Sequence, residues 1–238
     1  MRGIGVGRAA AIARRDLVAT LVSPFGIGCT AAFAALSGVL LVVELRAGEA
    51  RLDQWFAALF VALGLLAALL STRAFADEER TGSLELLLTA PTSAWDVVIG
   101  KLAGLGGVVV AVAVATLACP WLVAQMGDPD PGPILTGYAG MVLLGVAFVA
   151  VGLAVSASTS NPLVSAAGSV GVLAALWLCG VLAGGLHGVA QQMLRYVSPA
   201  SHVTGFLRGT LGAADVAYFV SLTVIAVASA RWTIRARR

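Results

Sequence analysis

The side chains able to ligate a metal or act as nucleophiles are few in this chain and far apart. His187 and His202 are its only histidines, and Cys29, Cys119 and Cys179 its only cysteines. They share no CxxC or comparable spacing, so neither a zinc site nor a disulfide framework is indicated. The cysteines fall inside apolar runs and read as small core residues. A protease working within the bilayer needs a serine and a histidine on facing helices; Ser169 lies in an apolar run, but both histidines lie outside the runs. Asn161-Pro162 has the form of a water-channel half-site, yet it occurs once. The one Gly-Lys pair, Gly100-Lys101, is followed by Leu102, and Trp95 stands where a phosphate loop needs its first glycine. The chain therefore carries no phosphate loop.

The surroundings of these residues explain why so little chemistry is present. Of 238 residues, 59% are hydrophobic and 11% charged, and the mean hydropathy is +0.96. A soluble domain holds roughly 45–50% apolar and about 25% charged residues. The surplus apolar surface exceeds what one core of this size can bury, so part of it must face lipid. Twenty-eight glycines fit the same class, since small residues let membrane helices approach closely.

Six stretches approach the roughly 20 residues that cross a hydrocarbon core: Phe25 to Val43, Trp55 to Thr72, Leu102 to Val123, Tyr138 to Ser156, Leu163 to Leu182, and Val216 to Ala230. All read as helices, because an isolated strand leaves its backbone unsatisfied in lipid. As drawn, the six contain no Asp, Glu, Lys, Arg or His, which argues against a proton-coupled secondary transporter. The first is read as a retained span, not a cleaved signal, because no convincing cleavage site ends it. With the N-terminus inside, eleven Lys and Arg fall on inner segments and four (Arg46, Arg51, Arg195, Arg208) on outer ones. Both termini are therefore expected in the cytoplasm. The net charge of +3 arises from these short clusters, which form no basic face, so no nucleic acid is expected as a partner.

Four connecting stretches carry pattern. Ile12 to Leu21 mixes Arg14, Arg15 and Asp16 with Leu17, Val18 and Leu21, and stops at Ser23-Pro24, as a helix lying in the headgroup layer would. Between spans two and three, Arg73 to Lys101 places Glu78, Glu79 and Arg80 before Thr81-Gly82 and a run with Leu84, Glu85, Leu86, Leu87 and Leu88. An amphipathic helix is expected there, ended by Pro91, and Ser93 with Asp96 then makes an acidic capping box opening the next helix. Gly127 to Pro133 enforces an outer turn. His187 to Asp215, interrupted by Pro199, suits a broken outer helix. Gly100/Gly104 and Gly180/Gly184 form GxxxG pairs, which serve packing within the chain or between subunits.

The stretch DEERTGSLELLLTAPTSAWDVVIGK, Asp77 to Lys101, resembles the loop between the second and third spans of type 2 ABC transporter permeases, with the gliding-motility and copper-maturation permeases the nearest branch. Arg14-Arg15-Asp16-Leu17 with Ser23-Pro24-Phe25 resembles that branch's entry helix. Ser198-Pro199 with His202 and Arg208 resembles its outer segment. Ala94 stands where the family often has a basic residue, and Ala200 or Val203 where an aromatic is common.

The resemblance implies an all-α polytopic protein, one permease domain over residues 1–238: an interfacial helix in 1–24, a cytoplasmic coupling segment in 73–101, an outer segment in 187–215, and six spans. It implies the permease subunit of an ATP-driven exporter in the bacterial inner membrane, with no catalytic residue and no cofactor in this chain. ATP and Mg would sit on a pair of separate P-loop ABC ATPase subunits, engaged by the Thr81 to Leu88 helix. A second permease copy, identical or related, and membrane lipid complete the expected partners. The alternative is a membrane scaffold or assembly factor that uses the same fold without transporting.

Overall fold

A computed structural model describes residues 5–46, 52–80, 93–127 and 129–236. Among these residues there are ten helices and no strand: α1 Val6–Val22, α2 Pro24–Arg46, α3 Leu52–Arg80, α4 Ala94–Ala115, α5 Ala118–Met126, α6 Pro131–Ser156, α7 Pro162–Ala183, α8 Val189–Val197, α9 Pro199–Leu207 and α10 Ala213–Ala236. Among the described residues, six segments are long and apolar enough to cross a membrane: α2, the first 21 residues of α3, α4 and α5 together, α6, α7 and α10.

The starts of these helices follow from local chemistry. Asp130 caps α6, its side chain accepting from the Gly132 N–H, and Pro131 supplies a ready-made first φ. Asn161 and Pro162 do the same for α7, so the Asn-Pro pair is a helix start. Span three is broken at Thr116-Leu117. Pro120 has no N–H to give the Thr116 carbonyl four residues back, and the chain resets into α5.

Helix α6 is the centre, with α3, α4, α7, α9 and α10 packed on it. Close approach is bought with glycine: a Cβ on Gly145 would lie 2.5 Å from Val109 Cγ1, and one on Gly152 would overlap Ser71. Trp55, Phe56, Phe60, Phe148 and Phe219 fill the interior. By contrast α2, α7 and α10 bury little of their surface and leave Val42, Val181 and Ile225 exposed, as helices facing lipid would.

The membrane-length helices run past the apolar stretches seen in the sequence and carry ionisable groups near their ends. Asp53, Asp96, Lys101, Asp215 and Arg231 all lie on them. The freedom from charge seen in the sequence thus holds for the apolar stretches and not for the whole helices.

Candidate coupling site

The expected capping box is present. Ser93 Oγ accepts from the Asp96 N–H at 3.1 Å, and Asp96 Oδ2 accepts from the Ser93 N–H at 3.0 Å. The sequence did not show that Asp96 has a second task. Its Oδ1 accepts from the Gly5 N–H at 2.7 Å, and Arg8 Nη1 stands 4.0 Å from Oδ2. Asp96 is fully buried, so these donors are what make a carboxylate tolerable there.

From that bond α1 runs alongside α4 in the same direction, seated on a glycine row. A Cβ on Gly100 would meet Ile12 Cβ at 2.8 Å and Ala9 O at 2.9 Å. One on Gly104 would meet Ala13 O at 2.9 Å, and one on Gly107 would meet Leu17 Cδ1 at 2.9 Å. Positions 100, 104 and 107 share one helical face. This GxxxG pair therefore packs α1 within the chain. Gly180 does likewise against Ser198, whereas Gly184 caps the end of α7.

Of the four residues singled out in the entry helix, Arg14 and Arg15 are exposed, and Asp16 and Leu17 turn toward α4. Asp16 Oδ2 lies 3.3 Å from Nζ of Lys101, which is only 2% exposed. The ammonium also sits 5.1 Å from the centroid of Phe75 on α3, within cation–π range. At the other end of the chain, the Arg231 guanidinium stacks 4.4 Å from the Trp95 ring. The first turns of α4 are thus held by α1, α3 and α10 together.

Glu78, Glu79 and Arg80 form the last turn of α3, with the backbone alone described; Thr81, Gly82, Leu84, Glu85, Leu86, Leu87 and Leu88 lie outside the described residues. The described chain resumes at Ser93, the N-cap of α4.

The segment expected on the outer side holds α8 and α9, which meet at Ser198. Pro199 opens α9 and Arg208 ends it, exposed. His202 is buried: Nδ1 lies 2.8 Å from Asp215 Oδ1, Nε2 lies 3.0 Å from the Tyr196 carbonyl oxygen, and the ring stacks on Tyr218 at 4.1 Å. The Tyr218 hydroxyl donates to the Val197 carbonyl. Both ring nitrogens are engaged, and His187 is exposed, so neither histidine is paired with Ser169. No group of three metal-ligating side chains occurs among the described residues. The Asp215–His202 contact spans 13 residues and has no helical or strand period that a sequence reading could detect.

Residues 11–233 match the family described as ABC-2 family transporter protein, and the chain belongs to it. It is accordingly a multi-pass membrane protein and the permease part of an ABC transporter, a transport subunit and not itself a catalyst. Families of this kind generally work with ABC ATPase subunits. No curated protein matches the chain.

Proposed function

We propose that this chain is the membrane-spanning half of an ATP-driven exporter of the gliding-motility and copper-maturation permease type, resident in the bacterial inner membrane with both termini cytoplasmic. It pairs with a second copy or a related permease, and each half engages a separate P-loop ATPase, which holds ATP and Mg, through the Thr81 to Leu88 segment.

The observation that supports this most is the clamp on α4. A push on the segment ahead of Ser93 reaches a helix start tied by Asp96 to α1, by Trp95 to Arg231 and through Lys101 to α1 and α3. Rigid elements joined this way move together, so displacement at the segment becomes displacement of spans. The test is co-expression with candidate P-loop ABC ATPases from the same genome, followed by reconstitution into vesicles. The expected result is a stable complex whose ATPase rate differs from that of the ATPase alone. A complex whose ATPase is indifferent to this chain would instead support the scaffold reading.

A further inference from the structure

We propose that the cleft between α1, α3 and α4 is a binding site for the phosphodiester headgroup of a phospholipid in the leaflet beside the N-terminal helix. The cleft has a volume of about 220 Å³. That is room for several waters, the scale of a headgroup.

Its lining combines the charged Lys101, Arg15 and Asp16 with the apolar Phe25, Leu70 and Leu105. Lys101 and Asp16 form an ion pair at 3.3 Å, and no carboxylate among the described residues lies within ion-pair distance of the exposed Arg15. Lys101 is the unusual member, because a side chain only 2% exposed keeps its ammonium next to a cleft that opens between helices. Basic side chains at the membrane surface attract anionic lipid, and an amphipathic molecule suits a lining of both kinds: phosphate at Arg15 and Lys101, acyl chains leaving past Leu70 and Phe25. An inorganic phosphate engages only the charged residues, so the lipid is the occupant the cleft favours.

The experiment is native mass spectrometry of the full chain in neutral detergent. Phosphatidylglycerol is titrated against diacylglycerol of the same chains, with inorganic phosphate as competitor. The expected result is retention of phosphatidylglycerol, weak retention of diacylglycerol and little displacement by phosphate. Arg15→Gln, at an exposed position, should lower occupancy about fivefold, the effect of one surface cation on an anionic lipid. Asp16→Asn should raise it, because it keeps an acceptor for Lys101 and removes the opposing charge. A purely structural ion pair predicts no gain from that change. Arg208→Gln, in the outer segment, serves as control and should leave occupancy unchanged. Equal retention of diacylglycerol, or variants indistinguishable from the parent, would overturn the assignment. Ready displacement by inorganic phosphate would overturn it in favour of a soluble anion.

Discussion

The Gly5 N–H donates to Asp96 Oδ1 at 2.7 Å across 91 residues of sequence, so one carboxylate caps α4 and anchors α1. The two duties can be separated. Ser93→Ala removes one capping bond and should cost about 1 kcal/mol. Asp96→Ala removes the return bond from the Ser93 N–H and the tether to Gly5 together, leaving the Ser93 Oγ cap in place, and should cost about 2 kcal/mol or more, read as a lower thermal midpoint in detergent. Equal losses in the two variants would mean that the Gly5 contact contributes nothing.

Glycine substitutions should sort by what the new Cβ meets. At Gly104 it meets a backbone carbonyl that cannot swing aside, so Gly104→Ala should destabilise by about 1–3 kcal/mol. At Gly28 it meets nothing within 4 Å, and Gly28→Ala should be neutral or stabilising by up to about 1 kcal/mol. Thermal midpoints of the two purified variants check the order.

The outer cluster predicts that His202→Ala lowers stability by about 2 kcal/mol through two lost hydrogen bonds and the stack on Tyr218. Limited proteolysis should then cut between α8 and α9 sooner than in the parent chain. Unchanged cleavage would show that Tyr218 alone holds the segment.

Orientation is tested by labelling. In a background where Cys29, Cys119 and Cys179 are replaced, Asp130→Cys should react with an impermeant maleimide added to intact cells, and Gly82→Cys should not. The reverse pattern would remove the ground for a cytoplasmic coupling segment.

For coupling, Leu86 and Leu87 are the expected anchors and Glu78, Glu79 and Glu85 the rim. Leu86→Asp or Leu87→Asp should lower ATPase complex yield or linked ATPase rate about tenfold or more, because anchors carry most of the energy of an interface. Glu85→Lys should change either by less than about threefold, and more at low salt. If both leucine variants assemble and couple normally, the segment is a tether.

The sequence showed those parts of the fold that depend on neighbours in the chain. Six apolar runs announced six spans, and Ser93 with Asp96 announced a helix start, because lipid thickness and capping geometry act over a few residues. The break in span three ahead of Pro120 went unread, because apolar run length reads straight through it. What stayed hidden depends on tertiary partners. Nothing near Lys101 in sequence shows that Asp16 meets it 85 residues away, or that Gly100 and Gly104 seat α1 and not another subunit. Hydropathy also shortened the helices, since it stops counting where charge begins, whereas backbone hydrogen bonding continues through Asp96 and Asp215.

The seat of α1 also imposes an order on synthesis. The surface that receives it, Gly100 to Gly107, belongs to the third span, so the first helix leaves the ribosome long before its place exists. Two spans must be inserted while Arg14, Arg15 and Asp16 wait at the membrane surface with no protein to dock on. A chain stalled or truncated before residue 107 would leave α1 without its groove, and quality-control proteases would find an unfastened N-terminus there. Fastening that helix therefore waits on the third span, although the helix itself is made before the first.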